Sequence, residues 1–170
     1  MDTELKQLIN EIQKQGRSEP DSCKTTLETS SVLGGRFRSD VKIRDHEMII
    51  DEPVAIGGTD QGPNPVELIL AALGSCQEIT YKAYAAALDI PINNISVEME
   101  GDIDFRGFFG VDGSIRPGFE KIRARVKIDS DAPESDIERL RKTVNSHCPV
   151  LDILSNKVSV DLDLIVAVEA

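Results

Sequence analysis

Two long segments in the middle of the chain alternate between apolar and charged side chains. In the first segment acidic residues separate the apolar side chains, which are Ile95, Val97, Met99, Ile103 and Phe105. In the second segment basic residues separate the apolar side chains, which are Ile122, Ala124, Val126 and Ile128. Because side chains two apart share one face of a strand, this spacing predicts two amphipathic β-strands. Opposite charges on the two outer faces favour cross-strand ion pairs, so we expect antiparallel neighbours. Phe108 and Phe109 are expected to be exposed in the loop between them.

The N-terminal part of the chain predicts a helix followed by a β region. Apolar residues recur at helical spacing at the start, at Leu5, Leu8, Ile9 and Ile12. Strands are expected between about residues 25 and 53, where apolar side chains alternate with polar and cationic ones. This alternation places Arg36 and Arg38 on the same side of one strand. A similar alternation over residues 158–164 predicts a closing strand.

A long helix is expected to follow the Gly- and Pro-rich run that ends at residue 65. Asn64 is a favourable N-cap, Pro65 suits the first helical position, and Glu67 completes a capping-box spacing. The helical pattern continues to about Leu88. Its first half is apolar nearly all round, which is typical of a buried central helix.

A second helix is predicted from about Pro133, with a short one after it over residues 150–154. The longer helix has an apolar stripe at Ile137, Leu140, Val144 and Cys148. The complete order of elements indicates an α+β fold, with mainly antiparallel β-sheet and one long buried central helix.

Length and charge restrict the classes of function. The chain has 170 residues, which is enough for one domain with a sizeable core, and its net charge is −11. Such an acidic chain is a poor match for nucleic acid or an anionic membrane, since both require clustered Lys and Arg. No apolar run approaches the roughly 18 residues of a transmembrane helix. The first 15 residues lack the basic start and apolar middle of a signal peptide. We therefore expect a cytoplasmic protein whose cysteines start reduced.

Two cysteines, Cys76 and Cys148, lie on predicted buried helix faces. Two interpretations remain open for them. They are packing residues, since free cysteine is often buried, or they are a nucleophile and its resolving partner. Cys23 lies in the polar N-terminal extension and is interpreted as incidental. A zinc knuckle or a thioredoxin-type motif is not expected, because no C-x-x-C spacing occurs. A working couple of His147 and Cys148 is not expected either, since adjacent residues diverge by about 100° on a helix.

A reactive Cys76 needs a cation to lower the pKa of its thiol. Cys76 lies about three turns after the N-cap, too far for the dipole of its own helix to act strongly. Arg36 and Arg38 are the candidate cations, although a solvated strand face explains them equally well. Glu67 invites a role in orienting an arginine, but its capping position already accounts for it.

The chain resembles the OsmC/Ohr family of osmotically inducible and organic hydroperoxide resistance proteins. The resemblance covers about residues 34–166, and its motifs are GPNPVELILAALGSC, which ends at Cys76, and SHCPVLDILSNKVSVDLDL, which contains Cys148. It implies an OsmC-like fold in an intertwined homodimer with active sites at the interface, and a thiol peroxidase that reduces organic hydroperoxides. Cys76 then corresponds to the peroxidatic cysteine, Cys148 to the resolving one, and Arg36 or Arg38 to the catalytic arginine. Electrons come from small or lipoyl dithiols, with no bound cofactor and no metal.

One departure from the family pattern concerns the arginine. The peroxidase branches carry a glutamate directly after the NP dipeptide, where it holds the arginine, but this chain has Val66 there and an acid one place later, at Glu67. The sequence is therefore more similar to an uncharacterised OsmC-like branch. We expect residues 1–30 to be an N-terminal helical extension and residues 31–170 to be the OsmC-like domain. The leading hypothesis is a two-cysteine hydroperoxide reductase, and the alternatives are a non-catalytic dimer that binds a small ligand in an apolar interface pocket and a purely structural dimerisation module.

Overall fold

A computed structural model describes residues 3–166 of the chain. Its helices and strands alternate in the α+β manner expected from the sequence. In chain order they are α1 (Thr3–Ser18), β1 (Ser30–Leu33), β2 (Ser39–Ile43), β3 (His46–Ile50), α2 (Pro65–Ala87), β4 (Asn94–Asp102), α3 (Phe105–Phe108), β5 (Lys121–Asp129), α4 (Glu134–His147) and α5 (Pro149–Ser155).

The predicted antiparallel pair in the middle of the chain is confirmed. β4 and β5 pair over their full length, and the register sets Glu98 opposite Arg125 and Glu100 opposite Arg123. Ion pairs form at both positions, with N–O distances of 2.8 and 3.2 Å. The extension of β4 as far as Phe105 is wrong, because Asp104 accepts a hydrogen bond from the Arg106 amide at 2.9 Å and caps α3 instead.

The loop between β4 and β5 carries exposed aromatic side chains, as expected. Phe108 is 62% exposed and Phe109 is 55% exposed. Their rings pack edge to face, with centroids 5.0 Å apart.

The N-terminal strands form a separate antiparallel sheet in the order β1–β2–β3. The expectation that Arg36 and Arg38 share a strand face is wrong, because β2 begins only at Ser39. Residues 34–38 form the turn between β1 and β2, which the Gly34 amide closes by donating to the Arg38 carbonyl at 2.9 Å. The two arginines therefore belong to a turn whose side chains follow no strand alternation.

Helix α2 begins with the predicted capping box. The Glu67 amide donates to the Asn64 side-chain oxygen, and the Asn64 amide donates to the Glu67 carboxylate, both at 2.8 Å. Towards its C-terminal end, α2 packs on α4 around a core of Tyr81, Ala85, Ile90, Leu140 and Val144. All-round burial of the first half is not observed, since Ile69 is 41% exposed. Within the described residues the β1–β3 sheet makes no extensive contact with this helix, and Val32 and Leu33 of β1 are exposed.

The two ends of the described chain behave differently. The N-terminal helix is confirmed, and Lys6 ties it to the end of α2 through a 2.6 Å hydrogen bond to Asp89. The closing strand expected over residues 158–164 is wrong for the single chain: this segment has no regular structure, and Leu162 is 91% exposed. A strand requires a neighbour for its backbone groups, and no strand of residues 3–166 pairs with this segment. Within the same range, no helix is long and apolar enough to cross a bilayer.

Candidate active site

The fold brings Cys76 and Cys148 together although 72 residues separate them. Cys76 lies in the middle of α2, and Cys148 occupies the corner where α4 ends and α5 begins. Their sulfur atoms are 3.3 Å apart, and neither is in a disulfide. Cys148 is 1% exposed, whereas Cys76 is half-buried. A disulfide needs a sulfur–sulfur distance of about 2.05 Å, so a shift of little more than about 1 Å would join them.

Continuity of the apolar stripe on α4 explains the position of Cys148. Leu140 and Val144 are fully buried against α2, and the Cys148 amide still donates to the Val144 carbonyl at 2.9 Å. The thiol therefore extends the same buried face by one turn. Pro149 then starts a new helix, because proline is favourable at the first helical position and unfavourable in a helix interior.

The surroundings of Cys76 contain opposing influences on its thiol. Burial raises the pKa of Cys76 above its ordinary range, and the neighbouring Cys148 raises it further. The Val150 amide acts in the opposite direction, since it favours the thiolate. The Thr80 hydroxyl, which donates to the Cys76 carbonyl at 2.7 Å, has the smallest influence in that direction. Burial has the largest effect, so within one chain the net direction is towards a raised pKa of Cys76.

Val150 is a site residue that the sequence analysis missed. Its amide occupies the second position of α5, where backbone N–H groups have no partner within the helix. The Cys-Pro dipeptide at 148–149 signals such a helix start. The contact with Cys76, in contrast, depends on how α5 packs against α2, which local sequence does not reveal.

Neither candidate arginine acts on Cys76 within one chain. The pKa of the Cys76 thiol is affected by Val150, Cys148 and Thr80, with no contribution from an arginine. Arg38 is bound elsewhere: its guanidinium donates to Asp40 at 2.6 Å and to Gln61 at 2.9 Å. Arg36 is exposed and has no ion pair with any residue of the described range.

The remaining candidates have other partners. Glu67 serves the capping box of α2 and has no ion pair within residues 3–166, while Val66 precedes it without polar chemistry. The ring of His147 packs at a tilt against Tyr84 with centroids 4.8 Å apart, and its Nδ1 is hydrogen-bonded to the Thr143 carbonyl at 2.7 Å. Cys23 is exposed, in the segment that follows α1.

This pair of thiols on α2 and α4–α5 lies inside a recognised family domain. The family model for OsmC-like protein matches residues 58–163, which is more than half of the chain. The chain therefore belongs to the OsmC-like protein family. The matched range includes both cysteines but begins after Arg36 and Arg38.

Solved structures show the same fold at low sequence identity. An OsmC-like protein from Mycoplasma pneumoniae is 20% identical with a TM-score of 0.66, and the match covers 78% of this chain and 89% of that one. An organic hydroperoxide resistance protein OsmC from Legionella pneumophila is 18% identical with a TM-score of 0.59, over 76% and 89%. An organic hydroperoxide resistance protein from Elizabethkingia anophelis is 17% identical with a TM-score of 0.58, and the match covers 76% of this chain and 87% of that one. No curated protein matches the chain in sequence.

Proposed function

We propose that this protein is a thiol-dependent peroxidase that reduces organic hydroperoxides with Cys76 and Cys148. The observation that carries the proposal is the 3.3 Å separation of the two sulfur atoms. Two cysteines that serve only to pack a core need no such proximity, whereas a nucleophile and its resolving partner require it. The names of two structural neighbours, both organic hydroperoxide resistance proteins, support the same chemistry.

In the first step the Cys76 thiolate attacks the terminal oxygen of the hydroperoxide. A sulfur–oxygen bond forms and the oxygen–oxygen bond breaks, so the sulfur is oxidised by two electrons and an alkoxide leaves. The alkoxide takes up a proton and departs as an alcohol. Because negative charge moves from sulfur to the alkoxide oxygen, a fixed cation beside both atoms would stabilise the transition state.

In the second step Cys148 resolves the sulfenic acid on Cys76. The Cys148 sulfur bonds to the Cys76 sulfur, the hydroxyl leaves, and the thiol proton joins it to form water. An external small or lipoyl dithiol then returns both cysteines to the thiol form and becomes a disulfide itself. No bound cofactor is required.

The proposed site uses two copies of the chain. No cation contributes to the pKa of Cys76 within one chain, and burial keeps that pKa raised. A second copy can supply an arginine, and it can also cover the apolar side chains that one copy leaves exposed, such as Val32 and Leu162. We infer a homodimer in which an arginine of residues 34–38 from one copy meets Cys76 of the other.

The apolar side of α2 supports an organic substrate. Ile69, Ala72, Cys76 and Ile79 recur at spacings of three and four residues, so they share one face of the helix. Ile69 is 41% exposed and Ile79 is 70% exposed in the single chain. A peroxide with a hydrocarbon group gains hydrophobic contact with this face, whereas hydrogen peroxide does not.

A titration of free thiols tests the proposal. The reduced protein is given one equivalent of cumene hydroperoxide, and thiols are counted in the wild type and in Cys76→Ser and Cys148→Ser. We expect the wild type to lose two thiols within seconds, because both cysteines end in one disulfide. Cys76→Ser should lose none, and Cys148→Ser should stop at a sulfenic acid that a dimedone probe labels.

Binding of a small ligand without catalysis is the second candidate, and the raised pKa of Cys76 is the observation that favours it. A thiol that stays protonated reacts slowly with peroxides. Survival of all thiols in a large excess of cumene hydroperoxide would overturn the peroxidase proposal. The apolar face beside Cys76 would then be the binding surface to examine, with a fluorescent acyl probe.

A further inference from the structure

The guanidinium of Arg38 is held on two sides. Its Nε and one terminal nitrogen donate to the same Asp40 oxygen, at 3.0 and 2.6 Å, and the other terminal nitrogen donates to the Gln61 side-chain oxygen at 2.9 Å. Because the guanidinium is planar, contacts at these two sites fix the orientation of the whole group. Arg36, two residues earlier, has no comparable contact within residues 3–166.

Gln61 is itself held by a chain of hydrogen bonds that ends at a buried carboxylate. The Gln61 side-chain nitrogen donates to the Thr59 hydroxyl at 2.8 Å, and that hydroxyl donates to Asp51 at 2.6 Å. The backbone amide of Gln61 also donates to Asp51, at 3.2 Å. Since the Gln61 nitrogen is occupied by Thr59, the amide oxygen is the atom that faces Arg38. The loop is therefore arranged to present an acceptor.

Asp40 is positioned by the turn that precedes it. A Cβ atom on Gly34 would meet the second Asp40 oxygen, so a larger residue there would displace the carboxylate from its present position. Gly34 also closes the turn through its bond to the Arg38 carbonyl. Gly34 therefore lies directly against the pair of Arg38 and Asp40.

The clamp leaves part of Arg38 available. A guanidinium has five N–H donors, and three of them are used by Asp40 and Gln61. Arg38, Asp40 and Gln61 line a cavity of about 700 Å³, whose other walls combine apolar side chains such as Val32 and Met48 with the charged Lys42 and Glu47. An oriented cation with two unused donors beside an apolar wall fits an anion that carries a hydrocarbon group.

We propose that Asp40 and Gln61 are positioning residues that hold Arg38 in the orientation in which it meets the reacting sulfur and oxygen. The inference rests on the proposed function, and it selects Arg38 over Arg36 as the activating cation. Val66 offers no carboxylate for this task, and the chain supplies one from Asp40 in the same strand region as the arginine itself. Arg38 touches the reacting atoms, whereas Asp40 and Gln61 act through it.

A double-mutant cycle in the full-length protein tests the proposal. The rate constant for cumene hydroperoxide is measured by stopped flow, and the pKa of Cys76 by the pH dependence of its alkylation. Arg38→Ala should slow the reaction by about 100- to 1,000-fold, as for the loss of one donor to a developing anion. Asp40→Ala should slow it by about 10-fold because Arg38 is then misplaced. In the Arg38→Ala background, Asp40→Ala should change the rate by less than about twofold.

Three further variants separate positioning from other roles. Asp40→Asn keeps an oxygen that accepts from Arg38, so it should recover most of the rate that Asp40→Ala loses. Gln61→Ala should show a smaller loss with the same dependence on Arg38. Glu98→Gln is the matched control, since it removes a carboxylate from another exposed arginine pair and should leave the rate unchanged.

Each outcome bears on a different claim. Equal losses from Asp40→Ala in both backgrounds, or no loss in either, would overturn the positioning role while the peroxidase stands. A wild type that consumes no peroxide would overturn the proposed function instead. The alkylation pKa of Cys76 still decides the inference in that case: it should rise in Arg38→Ala and in Asp40→Ala, with no further rise in the double variant.

Discussion

The helical region and the N-terminal sheet of this protein are stabilised in different ways. The helical region has an apolar core in which Tyr81, Leu140 and Val144 are at most 1% exposed. In residues 24–63, all of which the structure describes, the fully buried residues are Asp51 and Gly58, and every residue of β1 is exposed. The sheet is therefore held by its backbone hydrogen bonds and by polar contacts, with the apolar side chains of β1 exposed and those of β3 only half-buried.

This difference matters because the two regions hold the two parts of the proposed chemistry. The thiols belong to the region that is complete in one chain, and the arginines belong to the region that is incomplete. A site divided in this way is assembled only when a second copy brings its sheet to the helices of the first. Apolar burial and catalytic assembly would then depend on the same association.

The largest expected effect is the recovery of activity when two inactive variants are mixed. Arg38→Ala and Cys76→Ser are unfolded together and refolded, so that their chains redistribute. In a statistical mixture half of the dimers are hybrids with one intact site of two, so activity should rise from near zero to about a quarter of wild type. Peroxide consumption under turnover with a dithiol is the readout.

The matched control mixes Cys76→Ser with Cys148→Ser. Both thiols of one site come from the same chain, 3.3 Å apart, so this mixture should stay inactive. Recovery in the control, or none in the first mixture, would contradict a site divided between chains in this manner.

The next largest expected effect is the loss of folding stability when a core residue is truncated. Leu140 is fully buried between α2 and α4, so Leu140→Ala should lower the free energy of unfolding by about 2–5 kcal/mol at every protein concentration. Val32, in β1, is 69% exposed, and Val32→Ala should change it by no more than about 0.5 kcal/mol in the isolated chain. Urea unfolding at several protein concentrations measures both. An equally large loss from Val32→Ala in the most dilute samples would show that the sheet has its own core.

The buried Asp51 should produce the smallest effect, which depends on pH. Its two oxygens accept four hydrogen bonds, three of them from Thr59 and Gln61, and the Thr59 hydroxyl is the main reason that the pKa of Asp51 lies below its ordinary value. A lowered pKa contributes stability that is present above the ordinary pKa of about 4 and is lost as the pH falls through the lower value of the folded state.

Asp51→Asn should therefore lower the thermal midpoint at pH 7, since an amide brings a donor where only donors converge. The deficit relative to wild type should shrink as the pH falls below about 4. Thermal melts followed by circular dichroism between pH 3 and 7 test this. A deficit that does not change with pH would mean that the carboxylate charge of Asp51 does not stabilise the loop.

The sequence predicted best those parts of the fold that depend on neighbouring residues. The capping box at Asn64 and Glu67 and the opposed charges of β4 and β5 are local patterns, and each was confirmed. The segment 158–164 has the same alternation as a strand, but alternation cannot supply a neighbour, and one chain offers none. The prediction of a strand through residues 36–38 was wrong for a related reason. The position of the Arg38 side chain is set by its hydrogen bonds to Asp40 and Gln61, and not by strand alternation.

The candidate site was only partly accessible to sequence reasoning. A thiol at position 148 on the stripe of Leu140 and Val144 could be expected to face the core, but its distance from Cys76 depends on how α4 packs against α2. The same limit applies to the Val150 amide. Such contacts join residues that are far apart in the chain, and a single sequence carries no pattern that reports them.

The unequal exposure of the two thiols has a consequence for the return to the reduced state. An incoming thiolate must reach one sulfur of a disulfide before it can displace the other. Cys148 is 1% exposed and Cys76 is half-buried, so a disulfide between them would offer the solvent one sulfur, that of Cys76. Oxidant and reductant would then use the same atom in turn, and neither could react until the other had left. Such alternation would give the proposed peroxidase ping-pong kinetics.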